Sequence, residues 1–299
     1  MADNLTLSSS PVPSIVLNSG HKMPIMGLGT WQMVSKDGED IVFKALDSAL
    51  KSGYRMFDTA SAYKNEEDIG KSLKILLPKY GLKRSDIFIT SKLAPYDQGL
   101  DTAYSACLRS IENIGYEYLD LYLIHWPGAA QLKREDPVNL TRRKESWKAL
   151  EKLLREGRVK SIGVSNYTVK HLEEMKTYST VLPAVNQVEY HPYLNQKTLL
   201  KYCKDNNIAM QAYSSLGIGK LVHDSVFVDI GKKYGKTSAQ VLYRWAIEHD
   251  VAILPKSTNS SHIEQNMEIF AFTLSPEDMI TLDNMDKNTH FCWNPNEVA

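Results

Sequence analysis

The chain has 299 residues, enough for one large domain or two ordinary ones, and enough to bury a core without disulfides or a structural metal. Lysine plus arginine and aspartate plus glutamate both number 35, so the zero formal charge gives no reason to expect a nucleic-acid or membrane partner. Three cysteines without a short spacing disfavour a disulfide framework and a zinc site. With no signal-peptide pattern and no long apolar run, we expect a soluble cytoplasmic protein.

Residues 1–13 are polar and rich in serine and proline, and we expect this segment to be loose. Residues 15–24 follow as a short hairpin, because an Asn-Ser-Gly turn separates two short stretches. From Ile25 onward, short apolar strands alternate with amphipathic helices. Strands are predicted at 25–29, 54–58, 87–91, 119–124, 159–164, 185–188, 208–212 and 251–254. Helices are predicted at 39–51, 66–76, 100–113, 144–155, 169–175, 196–204, 225–233, 237–247 and 260–268.

Eight strand–helix pairs without an internal linker favour a single closed barrel rather than two domains. This domain is predicted to span residues 14–299. The predicted fold is α/β, a (β/α)8 TIM barrel with the N-terminal β-hairpin across the barrel bottom. Loops over the strand ends are predicted at 93–99, 127–143 and 214–224. The middle one is long, polar and basic, which is typical of a lid or binding loop.

Four side chains that can transfer or orient a proton follow the predicted strands in the first half of the chain. Asp58, Lys92 and His125 end strands two, three and four, and Tyr63 comes five residues after Asp58. Taken singly, each has an ordinary structural explanation: a cap, a packed ring, a solvated charge and a core histidine. Because the carboxyl ends of barrel strands converge on one face, the four together predict an active site there.

These residue types suit the reduction of a carbonyl group by hydride transfer. The developing alkoxide needs a proton donor, and Tyr63 can serve if the nearby Lys92 lowers its pKa. Asp58 can keep the Lys92 ammonium charged and in place, and His125 can orient the carbonyl oxygen. The sequence has no G-x-S-x-G elbow, no H-E-x-x-H and no close His/Cys cluster, so neither a nucleophile nor a metal is predicted.

The hydride must come from a cofactor, and the glycine motifs do not supply a nucleotide site. The Gly27-Leu28-Gly29 segment lacks the third glycine of a Rossmann fingerprint, and Gly217-Ile218-Gly219-Lys220 is too short for a phosphate loop. Better candidates are polar residues at the ends of strands five to eight. Amides there suit a nicotinamide carboxamide, a tyrosine can stack on its ring, and a Lys-Ser pair before a helix suits a phosphate. Each candidate could equally be a polar strand end.

Several strings in this chain resemble the aldo-keto reductase superfamily, from Gly20 to about Pro295. The strings are Met26-Gly27-Leu28-Gly29-Thr30-Trp31, Phe57-Asp58-Thr59-Ala60-Ser61-Ala62-Tyr63-Lys64-Asn65-Glu66, Ser91-Lys92-Leu93, Asp120-Leu121-Tyr122-Leu123-Ile124-His125-Trp126-Pro127, Ile162-Gly163-Val164-Ser165-Asn166, Asn186-Gln187 and Leu254-Pro255-Lys256-Ser257. The resemblance implies a catalytic tetrad of Asp58, Tyr63, Lys92 and His125, and NADPH extended across the barrel mouth. The cofactor contacts it implies are Ser165, Asn166, Gln187, Tyr213, Ser214, Leu216, Lys256, Ser257, Thr258, His262 and Asn266.

Two departures from the family pattern bear on function. Many NADPH-preferring members carry an arginine six residues after the phosphate-binding lysine, where this chain has His262. The loop of residues 214–220 is also shorter than in the aldose reductase type. It is similar to that of the glyoxal reductase, diketogluconate reductase and prostaglandin F synthase subgroup.

The leading hypothesis is an NADPH-dependent reductase of aldehydes and ketones, acting as a monomer on a small-molecule carbonyl substrate. Trp31, Tyr63, His125 and Trp126 are the predicted substrate contacts, which indicates an apolar pocket beside a polar oxygen site. One alternative is a regulatory or structural cofactor-binding protein, as in the potassium-channel β subunits and some lens crystallins. Another is reduction of a steroid C=C bond, which in this family goes with glutamate in place of His125.

Overall fold

The computed structural model describes residues 12–35 and 40–299, and the strands in those ranges form two sheets. The small sheet is an antiparallel hairpin of β1 (Ser14–Val16) and β2 (Lys22–Pro24). The large sheet has eight parallel strands in sequence order. They are β3 (Leu28–Gly29), β4 (Met56–Asp58), β5 (Phe88–Leu93), β6 (Leu119–Ile124), β7 (Val159–Ser165), β8 (Val185–Glu189), β9 (Ala209–Tyr213) and β10 (Ala252–Ile253).

The large sheet closes on itself where its first and last strands meet. A parallel bridge joins Met26, just before β3, to Ile253 of β10. The Gly27 N–H donates to the Ile253 carbonyl at 3.0 Å, and the Ile253 N–H donates to the Ile25 carbonyl at 2.8 Å. Since closure leaves no free edge between these strands, the predicted (β/α)8 barrel is confirmed.

Helices of the described residues pack around this barrel, and most begin and end within two residues of their predicted bounds. They are α1 (Ile41–Lys51), α2 (Glu66–Lys79), α3 (Leu100–Ile114), α4 (Val138–Arg155), α5 (Val169–Met175), α6 (Lys197–Asp205), α7 (Ser225–Tyr234), α8 (Ser238–Glu248), α9 (Ser260–Asn266) and α10 (Pro276–Asp283). Apolar Trp147, Leu150 and Leu153 of α4 are fully buried, as their helical spacing predicts. None of the helices described is long and apolar enough to cross a membrane.

The structure differs from the predicted helices in two places. The loop predicted over 127–143 is wrong from Val138 onward, where α4 begins. Its polar Arg143 is fully buried and forms a forked pair with Glu174 at 2.9–3.0 Å, while its Nη1 donates to the Pro127 carbonyl at 3.0 Å. The polar sequence was therefore misread as a solvated loop, because Arg143 is buried by its pairing with Glu174. The other correction is α10, which was not predicted; Ser275 caps its first turn.

The hairpin lies at the amino-terminal ends of the barrel strands, as predicted. Asn18 in its turn donates to the carbonyl of Pro183, just before β8, at 3.0 Å. Ser19 hydrogen-bonds through its hydroxyl to Ser161 of β7 at 2.7 Å. The buried side chain of Met23 reaches the barrel interior, with its sulfur 3.8 Å from Gln211 Nε2. This end of the barrel is therefore closed by protein, and the opposite end is the mouth.

The segment 1–13, predicted to be loose, lies mostly outside the described residues. Its last two residues are described. Val12 is buried in the core, and the Pro13 carbonyl accepts the Ile25 N–H at 2.8 Å. These two residues are thus part of the folded domain, which the prediction placed from residue 14.

Candidate active site

The four predicted proton-handling residues meet at the mouth of the barrel. Asp58 ends β4, Lys92 lies near the end of β5, and His125 directly follows β6. Tyr63 ends a single 3-10 turn after β4, and the next residue, Lys64, adopts the left-handed conformation that redirects the chain into α2. The strand ends and this turn therefore bring the four side chains together.

Lys92 is the centre of the group. Its ammonium lies 2.5 Å from Asp58 Oδ1, 2.9 Å from the Thr59 carbonyl and 3.4 Å from the Tyr63 hydroxyl. The side chain of Lys92 is fully buried, so these three oxygens replace its hydration shell. The Tyr63 ring packs edge-on against His125, with the ring centroids 5.6 Å apart. Tyr63 is therefore placed between a fixed cation and an imidazole.

Burial and the neighbouring charges shift the pKa values of Lys92 and Tyr63 in opposite directions. Burial on its own would lower the pKa of Lys92, but Asp58 and the bond to Tyr63 outweigh it, and the pKa of Lys92 is raised. Burial raises the pKa of Tyr63, and the opposing effect of Lys92 is smaller. Lys92 thus lowers the pKa of Tyr63, as the sequence suggested it could, but burial outweighs this effect and the net shift is upward. Tyr63 stays protonated at neutral pH, which is the state a proton donor needs.

His125 is held as a neutral imidazole. Burial, with a smaller effect of the nearby Lys92 charge, lowers the pKa of His125 to about 3. Its backbone carbonyl accepts a hydrogen bond from Asn166 at 3.0 Å, which ties the end of β6 to the end of β7. Its Nδ1 has no hydrogen-bond partner among the described residues. A neutral ring can donate one hydrogen bond without adding charge beside Lys92.

The residues predicted to hold the nicotinamide form one hydrogen-bonded group. The Ser165 hydroxyl donates to the Gln187 carbonyl at 2.8 Å, and the Tyr213 hydroxyl donates to Asn166 Oδ1 at 2.6 Å. Ser214, which follows Tyr213, adopts the left-handed conformation and starts the short loop that contains Leu216. These side chains from β7, β8 and β9 therefore line one side of the mouth.

Gln187 also connects this group to the tetrad, which the sequence did not indicate. Its Nε2 donates to Asp58 Oδ2 at 2.8 Å and to Gln211 Oε1 at 2.8 Å. Both amide hydrogens are thus used within the protein, and no hydrogen bond from a described residue to Gln187 Oε1 is seen. A free amide oxygen among polar neighbours suits the NH2 of a carboxamide.

The residues predicted for the phosphate and adenosine end lie beyond β10. Lys256 is exposed, and none of the ion pairs among the described residues includes it. The Asn259 side chain caps α9 by accepting the N–H groups of Ser261 and His262, at 2.9 and 3.3 Å. Ser257 is half-buried, Thr258 and His262 are exposed, and Asn266 is buried. An unpaired lysine beside hydroxyl groups suits a phosphate.

Asn65 is a buried residue at the site that was not among the predicted contacts. Its Nδ2 donates to the carbonyls of Thr30 and Met33 at 2.9 and 3.0 Å, and its Oδ1 accepts from Thr59 at 2.6 Å. Asn65 thereby attaches the loop that contains Trp31 to the residues that follow β4. Its place before α2 looks like an N-cap in the sequence, but its side chain makes no cap hydrogen bond. A local pattern could not have revealed this role.

The predicted substrate contacts at the rim are aromatic. Trp31 is 49% exposed, and Trp126 follows His125 with part of its ring accessible. Trp126 packs edge-on against Trp293, with ring centroids 6.0 Å apart. Apolar surface therefore lies next to the polar tetrad.

A separate open cavity of about 800 Å³ lies at the other end of the barrel, beneath the hairpin. It contains Lys22 of β2, Arg55 and Lys160, and none of the tetrad residues. Its volume lies in the range of ligand pockets, but the group with perturbed pKa values is at the mouth. Within the ranges that the structure covers, no cluster of three or more His, Cys, Asp or Glu could hold a metal ion.

Replacing Lys92 tests the buried pair independently of any activity. Lys92→Met leaves Asp58 buried without its cation, so we expect the free energy of unfolding to fall by about 3–5 kcal/mol in urea titrations. Adding Asp58→Asn should restore part of the loss, because an amide needs no counter-charge. The control is Lys79→Met, which breaks the half-exposed Lys79–Asp47 pair and should have a far smaller effect. Equal effects of the two lysine variants would contradict the assignment.

The depressed pKa of His125 predicts a specific acid sensitivity. The folded protein resists protonating His125 until about pH 3, whereas the unfolded chain does so near 6.5. The contribution of His125 to the free energy of unfolding is fully present above pH 6.5 and is lost as the pH falls toward 3. Between pH 7.5 and 5, we expect His125→Gln to lose about 2 kcal/mol less unfolding free energy than the parent protein. The control His21→Gln, at an exposed histidine, should follow the parent; identical pH profiles for all three proteins would refute the prediction.

Comparison with known proteins gives a consistent family assignment. The model of the Aldo/keto reductase family matches residues 25–287. A glyoxal reductase from Bacillus subtilis is 41% identical over 95% of this chain and 97% of its own length, and a 9,11-endoperoxide prostaglandin H2 reductase from Trypanosoma cruzi is 38% identical over 94% of each. A crystal structure of a Bombyx mori aldo-keto reductase in complex with NADP superimposes with a TM-score of 0.85 at 30% identity, covering 95% of this chain and 96% of the other. The chain therefore belongs to the aldo-keto reductase family.

Proposed function

We propose that this oxidoreductase reduces aldehydes and ketones to alcohols with NADPH, and that Tyr63 is the general acid. The observation that carries the proposal is the position of Tyr63: its hydroxyl lies 3.4 Å from the buried Lys92 ammonium, and its ring packs edge-on against His125. The name of the Bacillus relative, a glyoxal reductase, supports carbonyl reduction, because glyoxal is a dicarbonyl compound. The Bombyx neighbour with bound NADP supports the choice of nicotinamide cofactor.

Each tetrad residue has one task in this reaction. NADPH, when bound, supplies the hydride that reduces the carbonyl carbon. Tyr63 gives its proton to the carbonyl oxygen as negative charge develops there, so that hydride and proton together convert C=O into an alcohol. Lys92 stabilises the tyrosinate left behind, and Asp58 keeps Lys92 charged. The neutral His125 orients the carbonyl oxygen by a hydrogen bond.

The cofactor would lie across the ends of β7 to β10. Ser165, Asn166 and the free Oε1 of Gln187 would hold the carboxamide, with the Tyr213 ring beneath the nicotinamide. Lys256 would meet the 2′-phosphate as a point charge. The remaining proposed contacts are Ser214, Leu216, Ser257, Thr258, His262 and Asn266.

We also propose that the protein acts as a cytoplasmic monomer on small-molecule carbonyls, without a nucleic-acid or membrane partner. The balanced charge of the chain supports this view. His125 favours carbonyl reduction over C=C reduction, and the complete tetrad favours an enzyme over a purely structural role.

Replacing the proton donor tests the proposed reaction. Tyr63→Phe removes only the hydroxyl, so we expect kcat for aldehyde reduction to fall at least the ~100-fold typical of a lost general acid. NADPH binding, followed by tryptophan fluorescence, should persist because its contacts come from other strands. The matched control is Tyr104→Phe, whose hydroxyl pairs with Glu156 on the outer surface and which should keep full activity. Near-normal turnover by Tyr63→Phe would remove Tyr63 from this role.

Cofactor choice depends on the residues after β10. Lys256→Ala should reduce the ratio of NADPH to NADH affinity, because the 2′-phosphate loses its point charge. His262→Arg should tighten NADPH binding by about 1–2 kcal/mol, the size of one charge-assisted contact, and leave NADH binding little changed. Titration calorimetry with both cofactors measures these effects. Lys148→Ala, at an exposed lysine of α4, is the control, and an unchanged ratio in Lys256→Ala would place recognition of the 2′-phosphate elsewhere.

A further inference from the structure

Glu189 is a buried carboxylate at the carboxyl end of β8 that takes no part in the tetrad. It is 2% exposed. Its Oε1 accepts the N–H of Phe291 at 2.8 Å and faces His191 Nε2 at 3.0 Å, and its Oε2 accepts the N–H of Cys292 at 3.1 Å. Residues 289–299, called the tail below, are thereby joined to a barrel strand about one hundred positions earlier in the chain.

The hydrogen-bond partners of the two Glu189 oxygens are donors, and His290 Nδ1 of the tail lies 3.7 Å from Oε2. Burial alone would raise the pKa of Glu189, but the hydrogen bonds from His191 and the two backbone amides outweigh it, and the pKa is lowered. An amide of the same shape could not replace this carboxylate, because its NH2 would face a donor on one side. A backbone N–H of the tail would then lose its buried acceptor. The interaction is therefore specific to an anion.

The tail residues next to this anchor contact both sides of the mouth. The Phe291 ring covers Gly217, where a Cβ atom would lie 2.7 Å from the ring, and the Cys292 sulfur lies 3.3 Å from the Ser214 hydroxyl. Both contacts are with the short loop that contains Ser214 and Leu216, two of the proposed cofactor contacts. On the other side, Trp293 packs against Trp126, which directly follows His125. The tail thus connects the two rims beside the tetrad.

A second anchor holds the far end of the tail. His171 Nε2 lies 3.1 Å from the Val298 carbonyl, and the Ala299 N–H donates to the Arg134 carbonyl at 2.8 Å. Trp293 lies between the two anchors, one residue from the Glu189 contacts, and is 73% exposed. Little else packs against so exposed a ring, so its position depends mainly on the adjacent backbone.

We propose that Glu189 is a positioning residue for substrate selectivity: by anchoring Phe291 and Cys292, it places Trp293 beside Trp126 as an aromatic wall for bulky carbonyl substrates. The inference rests on the proposed carbonyl reduction and deepens it. Large aromatic aldehydes gain contact area from the wall, whereas small aliphatic aldehydes need only the tetrad. Loss of the anchor should therefore weaken the binding of large substrates selectively.

The test compares 2-naphthaldehyde with propionaldehyde at saturating NADPH. In Glu189→Gln we expect the kcat/KM ratio of the large to the small aldehyde to fall at least tenfold, mainly through a higher KM for the large one. Using a ratio cancels any change in cofactor binding or in the fraction of folded enzyme. Trp293→Ala should shift the ratio similarly, and the double variant should shift it no further, because both changes remove the same wall.

Glu151→Gln is the matched control. Glu151 is also buried, and its Oε1 accepts two backbone N–H groups, those of Thr180 and Val181 at 2.6 and 3.0 Å. It lies on α4, and its partners belong to the loop that enters β8 from the bottom of the barrel. Glu151→Gln should lower the melting temperature without moving the substrate ratio, which separates general destabilisation from positioning.

Three results would overturn the proposal: an unchanged ratio in Glu189→Gln, an equal shift in Glu151→Gln, or no shift in Trp293→Ala. If Glu189→Gln does not fold, Glu189→Asp keeps both acceptor oxygens on a shorter arm and should give a smaller shift of the same sign. No shift in that variant would also overturn the proposal. A parent protein that reduces neither aldehyde would instead refute the proposed function, so the two failures are distinguishable.

Discussion

The buried pair of Lys92 and Asp58 is the interaction on which the mouth of this barrel depends. A lysine with no exposed surface is tolerated because Asp58 Oδ1 and the Thr59 carbonyl surround its ammonium at 2.5 and 2.9 Å. Asp58 is satisfied in turn by the Gln187 amide on the opposite side of the barrel. The Lys92 ammonium, which can stabilise a tyrosinate, is thus held by contacts from strands β4, β5 and β8. Because these strands are rigid parts of the barrel, the site is rigid too.

The same arrangement explains why the site is polar although the barrel is a packed core. Ser165, Gln187 and Gln211 are buried side chains that hydrogen-bond to one another or to backbone groups near the strand ends. A buried polar network costs free energy unless its members are satisfied, so each residue limits where its neighbour can point. Gln187 Oε1 and the exposed Lys256 have no such partner among the described residues. The amide oxygen suits a nicotinamide carboxamide, and the lysine suits a phosphate.

The rims of the mouth are held by buried polar side chains that bind backbone groups of distant segments. Asn65 fixes the carbonyls of Thr30 and Met33, and Glu189 fixes the amides of Phe291 and Cys292. Through them, exposed Trp31 and Trp293 are positioned by residues that a substrate need not touch. Under the two proposals made above, chemistry and selectivity are supported by different parts of the fold.

The sequence by itself determined the barrel and the grouping of the four tetrad residues at its mouth, because both follow from local patterns. Strand and helix periodicities are set by backbone geometry, and parallel strands must end on one face, so Asp58, Lys92 and His125 could be placed together without coordinates. Only the tertiary structure decided the Gln187–Asp58 bond, the pairing of Arg143 on α4 with Glu174, and the anchoring of the tail by Glu189. These contacts join groups 129, 31 and 102 positions apart, and no periodicity relates such positions. Their geometry, and the net rise of the Tyr63 pKa, depend on burial that exists only once the chain has folded.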